Sequence, residues 1–199
     1  MKIGFGSDHS GVALKHILME YVRGKGHECI DYGAADSKVP ANYAEFGLKV
    51  GEAIASREVE KGVMVCGSGV GISLAANKVP GVRAAACSEP CTAKLAVEHS
   101  DINAVAMGVC IVGPEEAKMI VDAFLDAKFE GGAYTERVDT LSAIEKNTAN
   151  KRGGRMSAFT DFIAMRPSSL YCTRTHTRNY NERNQTEIFD GRTRTVPSA

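Results

Sequence analysis

The chain is 199 residues long, with 44% hydrophobic and 24% charged residues, which is enough for one domain with a core and an appendage. The formal net charge is zero, but residues 1–147 carry 15 basic and 20 acidic side chains, whereas residues 148–199 carry 9 and 4. The mild excess of acidic side chains in residues 1–147 argues against a nucleic-acid-binding groove in that region, and no apolar run approaches the roughly 20 residues of a membrane span.

The polar residues of MKIGFGSDHSG come too early for a signal peptide. Six scattered cysteines without a CxxC pair predict reduced thiols in a cytoplasmic protein, with no metal site and no disulfide framework.

Strand-like and helix-like segments alternate along residues 1–146. Short apolar runs predict five strands: KIGFGSD, ECIDYG, GVMVC, VRAAAC and NAVAMG. Apolar residues at helical spacing predict six helices. The first ends at Gly24, the second runs from about Tyr43 to Ser56, and the third ends at about Lys78. The fourth runs from about Glu89 to His99, the fifth begins at Pro114, and the sixth runs from about Thr135 to Lys146. Because the strands are apolar without alternation, they predict an α/β fold in which helices cover both faces of an open, doubly wound parallel sheet.

Residues able to do chemistry follow several of these strands. Sheets of this kind bind ligands at the carboxyl ends of their strands. Asp8 and His9 follow the first strand, Cys66 and Gly67 follow the third, and further residues follow Met107. We therefore expect an active site at this edge, and we expect His99, at the end of its helix, to lie there too.

A glycine-rich loop, CGSGVG, occupies residues 66–71. Its three glycines let backbone N–H groups approach an anion closely at the start of the next helix. A Walker A motif requires Lys and then Ser or Thr after the last glycine, and the dinucleotide pattern requires glycine where Ile72 stands. The spacing alone therefore predicts a small anionic ligand and no nucleotide.

Each candidate side chain also has a structural interpretation. Cys66 could be an inert residue of the buried strand, or a nucleophile or proton acceptor whose thiolate the following helix favours. His99 lies at a helix end, where the dipole favours imidazolium. Asp8 and His9 could be a ligand pair, or a capping Asp beside a solvated His.

The last 52 residues, 148–199, differ from the rest in being rich in Arg, Thr and Asn without a sustained period. We interpret them as a basic extension that is mostly disordered or loosely docked. RNA or a membrane surface would be the alternative partner of such a segment, but it lacks interleaved aromatic and basic residues. We expect neither nucleic acid nor membrane as a partner.

Four segments together resemble the ribose-5-phosphate isomerase B family, which includes the galactose-6-phosphate isomerase subunits. They are GSDHSG at 6–11, CGSGVGISLAANKVPGVRAA at 66–85, EHSDINAVAMG at 98–108 and FEGG at 129–132. The resemblance covers about residues 1–146 in unbroken order. It implies a Rossmann-like five-stranded domain that forms homodimers or homotetramers with active sites shared across the interface. It also implies interconversion of an aldose and a ketose phosphate through an enediolate, without metal or cofactor.

The resemblance also implies roles for individual residues. Cys66 matches the catalytic base, and His99 matches the residue that helps to open the furanose ring. The backbone amides of residues 67–71 would hold the developing oxyanion. The substrate-binding positions are Asp8, His9, Tyr43, Gly67, Ser68, Gly69, Val70, Gly71 and Arg137.

The chain departs from the family pattern at several positions. Ser100 stands where Asn is usual after the catalytic His, and Ser68 where Thr is usual. Cys110 and Ala133 stand where the family has arginines, so only Arg137 remains of three arginines expected to grip the phosphate. Tyr134 is a further departure, since this chain has EGGAY where the family has EGGRH. We therefore expect ribose 5-phosphate as the substrate, with another sugar phosphate of the four-carbon erythrulose or the galactose 6-phosphate type as the alternative. A catalytically weak sugar-phosphate-binding module is a further alternative.

Overall fold

The structure is a computed structural model that describes residues 1–152, with side chains up to residue 148. The strands are β1 Lys2–Ser7, β2 Glu28–Asp31, β3 Lys61–Cys66, β4 Ala84–Ala86 and β5 Ala104–Gly108. The helices are α1 Val12–Gly24, α2 Tyr43–Ala55, α3 Val70–Ala76, α4 Pro90–Ser100, α5 Pro114–Asp126 and α6 Ala133–Arg152. All of these elements match the predicted ones in order and type. Most of the predicted basic extension, from residue 153 onward, lies outside the described residues.

The five strands form one parallel sheet in the order β2-β1-β3-β5-β4. From β1 the chain crosses first to one side, to β2, and then to the other side, to β3. The gap between the carboxyl ends of β1 and β3 is therefore the topological switch point, where open α/β sheets bind their ligands. The prediction of a doubly wound, Rossmann-like sheet is confirmed.

Helices cover both faces of the sheet, and each face has its own apolar core. On one face the odd-numbered residues of β1 and β3, such as Phe5 and Val63, pack with α1, α4 and α5. On the other face Met64, Cys66 and Ala106 pack with α2 and α3. Because both sides of each central strand are buried, these strands read as continuous apolar runs in the sequence.

The direction of the helices corrects one expectation about the site. Each crossover helix begins near the carboxyl edge of the sheet and returns the chain to the amino edge, where the next parallel strand starts. His99 lies in the last turn of α4, just before β5, and therefore lies at the amino edge rather than beside Cys66. At about 3.3 Å per strand residue, the two edges are roughly 16 Å apart.

Helix α6 is longer than the sequence pattern predicts. The predicted end is at about Lys146, whereas the helix continues to Arg152 and so passes through the expected domain boundary at residue 147. The segment TANKR, residues 148–152, has no apolar residue at core spacing, so periodicity cannot detect it, although Ala, Lys and Arg are good helix formers. Among the helices described, none is both long enough and apolar enough to cross a bilayer.

Candidate active site

The switch point brings the ends of β1 and β3 together. Ser7 pairs with Val65 in the parallel register, so Asp8 and Cys66 are the next residues along two adjacent strands. The short 3-10 turn His9–Gly11 crosses the end of β3, because a side chain at Gly11 would lie 2.6 Å from the carbonyl oxygen of Val65. Glycine therefore lets the Asp8–His9 segment rest directly against β3.

Cys66 is the last residue of β3, and the residue is 3% exposed. The backbone N–H of Gly69 donates to Cys66 Sγ at 3.1 Å. Gly69 has φ +80°, and a Cβ there would lie 2.9 Å from the Met107 backbone, so only glycine suits this turn. The loop thus folds back over β5 and points an N–H donor at the sulfur, an arrangement that stabilises negative charge developing there.

The other described cysteines lack this arrangement. Burial raises the pKa of the Cys87 thiol to about 11, with a smaller contribution from Glu89, and burial also raises the pKa of Cys29. Cys91 and Cys110 are exposed, and all five cysteines of the described residues are free. Among the cysteines that the structure describes, Cys66 is the one that combines burial with a backbone donor at the switch point.

The glycine loop continues into a small exposed surface beside Cys66. The side chains of Ser68 and Val70 are exposed, and the Ser68 hydroxyl accepts the Val70 N–H at 3.3 Å. Tyr43, the first residue of α2, lies over this loop, because a Cβ at Gly71 would come within 2.7 Å of the Tyr43 ring. The structure therefore brings Tyr43 and residues 67–71 together.

Asp8 and His9 are held rigidly at the end of β1. The buried Asp8 carboxylate accepts hydrogen bonds from Ser10 N, Ser10 Oγ and Gly11 N at 3.0, 2.6 and 3.2 Å. His9 is half-buried, and its Nδ1 accepts the Ala41 N–H at 3.1 Å, which leaves Nε2 as its second polar atom. Asp8 thus caps the turn, and its place beside Cys66 also suits a ligand-binding role. We call Asp8, His9, Tyr43 and Cys66 with residues 67–71 the thiol half-site.

A second group of residues, two of them predicted, meets at the opposite edge. The rings of His99 and Tyr134 are stacked, with centroids 4.2 Å apart and planes inclined by 12°. The Arg137 guanidinium lies 5.1 Å from the centroid of the same Tyr134 ring. His99 and Tyr134 are half-buried, whereas Arg137 is exposed. We call His99, Tyr134 and Arg137 the imidazole half-site.

Two carboxylates accompany His99. Potential ligand atoms of Glu98, His99 and Glu130 lie within 4.8 Å of one another, the one such trio found among the described residues. Glu98 also approaches Lys94 at 3.6 Å, so one of its carboxylate oxygens is already engaged by a cation. We treat these carboxylates as the polar surroundings of His99 rather than as a metal centre.

Comparisons with known proteins place the chain in a family. A family model described as ribose/galactose isomerase matches residues 3–141. The chain belongs to this family. It is 47% identical over 145 residues to ribose-5-phosphate isomerase B of Escherichia coli (strain K12), which covers 73% of this chain and 97% of that protein. It is 32% identical over 145 residues to D-erythrulose-4-phosphate isomerase of Pectobacterium atrosepticum, over 73% of this chain and 95% of that one. The solved structure of Clostridium thermocellum ribose-5-phosphate isomerase B has a TM-score of 0.73 and 45% identity, and covers 74% of this chain and 99% of its own.

The departures from the ribose/galactose isomerase pattern are divided between the two half-sites. Cys110 is exposed, and its backbone N–H donates to the Gly67 carbonyl at 3.1 Å, so it borders the thiol half-site. Ala133 begins α6 next to Tyr134, and Ser100 follows His99. Sequence reasoning noted Tyr134 only as a departure and missed its contact with His99, since the two residues are 35 positions apart and follow no shared motif.

Proposed function

We propose that the chain is an aldose–ketose isomerase that interconverts ribose 5-phosphate and ribulose 5-phosphate, a reaction of the pentose phosphate pathway. The observation that carries the proposal is the Cys66 thiol, which lies at the switch point of the sheet under a backbone N–H donor. A proton acceptor beside fixed donors is what transfer of a carbon-bound proton requires. Membership of the ribose/galactose isomerase family supports the same reaction.

Cys66 acts on the open-chain sugar. Its thiolate removes the proton from C2 of the aldose, and the electron pair of that bond forms the C1–C2 double bond of an enediolate. At the same time the carbonyl π electrons of C1 move onto O1. The thiol then returns its proton to C1, and the hydroxyl proton of O2 is transferred to O1, which leaves a C1 hydroxyl and the C2 carbonyl of the ketose. Backbone N–H groups of residues 67–71 stabilise the negative charge on oxygen, and no redox cofactor takes part because carbon is oxidised and reduced within one molecule.

The remaining residues of the thiol half-site orient the sugar. Asp8 and His9 are fixed by their hydrogen bonds at the end of β1, one strand away from Cys66. Tyr43 and the side of the loop that carries Ser68 and Val70 flank the same space. Groups held this rigidly keep the reacting C–H bond against the sulfur, and such positioning accounts for a large part of the rate.

The imidazole half-site supplies ring opening and phosphate binding from a second protomer. Within one chain His99 and Cys66 lie at opposite edges of the sheet, too far apart to act on one small sugar. We therefore propose a homodimer, or a homotetramer built from it, in which His99 of one subunit faces Cys66 of the other. His99 moves the proton between the ring oxygen and the anomeric hydroxyl, and Arg137 binds the phosphate. We place the reaction in the cytoplasm, and the five cysteines within residues 1–152, all of them free, support this.

A four-carbon sugar phosphate is the second candidate substrate. Cys110 and Ala133 remove two expected cations, so the phosphate of ribose 5-phosphate has fewer partners, and a shorter sugar would place its phosphate elsewhere. The D-erythrulose-4-phosphate isomerase among the relatives supports this candidate. The test is an isomerisation assay of the full chain on four-, five- and six-carbon aldose phosphates. We expect the highest kcat/KM for ribose 5-phosphate; preference for another sugar would reassign the substrate, and binding without turnover would indicate a sensor.

A further inference from the structure

Tyr134 has a position in the imidazole half-site that neither the family pattern nor the reaction itself assigns. Its ring lies nearly parallel to the imidazole of His99 at a centroid distance of 4.2 Å. At this distance the two rings are in van der Waals contact over their faces, within the range of stacked aromatic pairs. The contact restricts rotation of the imidazole and leaves its two nitrogens, which lie in the ring plane, available to a substrate.

Backbone hydrogen bonds near Tyr134 hold the start of α6 against the end of α4, and so keep the Tyr134 ring on His99. Glu130 N donates to the Glu98 carbonyl at 3.0 Å, which ties the segment before α6 to the last turn of α4. Gly131 and Gly132 both have positive φ, +65° and +56°, and the Tyr134 N–H donates to the Gly131 carbonyl at 3.0 Å. The two-glycine turn therefore directs the first turn of α6, and Tyr134 with it, onto His99.

The same ring also contacts the one phosphate-binding arginine that the chain retains. Arg137 follows Tyr134 by one helical turn, and its guanidinium lies 5.1 Å from the Tyr134 centroid, in the range of a cation–π contact. Tyr134 thus touches both residues that the proposed function places in the imidazole half-site. Losing the aromatic ring would release both side chains at once.

We propose that Tyr134 is a positioning residue that holds the His99 imidazole for ring opening and, more weakly, Arg137 for the phosphate. The inference rests on the proposed function. The aromatic ring is what acts, because both contacts are made to its face. The Tyr134 hydroxyl is not needed for either of them.

The test compares Tyr134→Phe, which keeps the ring, with Tyr134→Leu, which keeps apolar bulk without it. Each is made in the full chain with His99 present and in the His99→Asn background, and kcat is measured with ribose 5-phosphate. With His99 present, we expect Tyr134→Leu to lower kcat about tenfold and Tyr134→Phe to retain most of it, since small misplacements of a catalytic group are costly. In the His99→Asn background, Tyr134→Leu should change kcat less than about twofold, because a residue that acts through His99 has nothing left to position.

A spectroscopic measurement reports the stack without relying on turnover. The Cε1 proton of His99, identified by its loss in His99→Asn, should move downfield in Tyr134→Leu and stay in place in Tyr134→Phe, because only the ring shields it. An unmoved resonance, a full-sized kcat loss in the His99→Asn background, or equal losses in the Phe and Leu variants would overturn the inference. A wild-type chain that isomerises no sugar phosphate would instead refute the proposed function.

Discussion

The thiol half-site and the imidazole half-site belong to one sheet but are built differently. Cys66 and Asp8 stand at the ends of central strands, are almost fully buried, and are held by backbone N–H groups. His99 and Tyr134 come from the last turn of one helix and the first turn of another, are half-buried, and contact each other mainly through their faces. The thiol half-site is rigid because the core encloses Cys66 and Asp8, whereas the imidazole half-site lies open at the surface.

The departures from the family pattern follow the same division. Three of them, Ser100, Ala133 and Tyr134, lie in or beside the imidazole half-site. At the thiol half-site Ser68 keeps the hydroxyl of the usual Thr, and Cys110 borders the loop through its backbone. Under the proposed function, proton transfer therefore depends on the buried Cys66 and its loop, while substitutions in the open half-site adjust which sugar phosphate is bound.

The largest effect should follow loss of the thiol. Cys66→Ala removes the base and little volume, so kcat should fall by about 10²–10⁴-fold while thermal unfolding changes little. Cys87→Ala is the matched control, since Cys87 is buried to a similar degree, 4% against 3% exposed, but lies outside the half-site. Near wild-type turnover in a folded Cys66→Ala variant would remove the thiol half-site from the mechanism.

Loss of the imidazole should have a large effect that depends on the substrate. His99→Asn should lower kcat about 10²-fold on ribose 5-phosphate, which is mostly a closed furanose. A four-carbon aldose 4-phosphate cannot form that ring, because the phosphate blocks the oxygen that would close it, so its turnover should fall much less. His16→Asn is the control, since His16 is an exposed histidine of α1. Equal losses on both substrates would contradict a ring-opening role.

Restoring a cation should have an intermediate effect in the opposite direction. Ala133→Arg adds a guanidinium at the start of α6, beside Tyr134, where the phosphate is expected. Since about 1.4 kcal/mol corresponds to a factor of ten, one charged contact should raise kcat/KM for ribose 5-phosphate about tenfold, mainly through a lower KM. Ala143→Arg adds the same charge to an exposed position on the same helix and should have little effect. Equal gains in the two variants would indicate a general charge effect instead.

The smallest effect should come from shortening the chain. Ending it after Arg152 keeps α6 whole and retains the segment that the family model matches, residues 3–141. We expect kcat and the unfolding temperature to stay within about twofold and a few degrees of the full chain. A large loss of either quantity would show that residues 153–199 support the domain or complete a half-site.

Much of this architecture could be predicted from the sequence. Apolar runs marked every strand, and Pro114 with two following acidic residues marked the start of α5. Cys66, Asp8 and residues 67–71 were predicted together because the ends of neighbouring parallel strands always meet at one edge. Periodicity could not find the last turns of α6, which carry no apolar stripe.

The placement of His99 was wrong for a reason that the sequence already contains. A residue in the last turn of a crossover helix must lie at the amino edge, because the next parallel strand begins there. The stack with Tyr134 is different, since it depends on the angle set by the two positive-φ glycines and could not be predicted from spacing. The sequence and its family resemblance therefore predicted His99 and Arg137, but neither the part that Tyr134 plays nor the contacts that join the three residues.

Each active site of the proposed dimer combines the thiol half-site of one protomer with the imidazole half-site of another. Cys66→Ala and His99→Asn chains, each nearly inactive alone, are co-expressed with different tags, and the complex carrying both tags is isolated. In such a dimer one site has both defects, while the other has an intact Cys66 and an intact His99, so about half of the wild-type kcat per dimer should return. A mixed dimer no more active than the separate variants would contradict the claim, because it would mean that both residues act within one protomer.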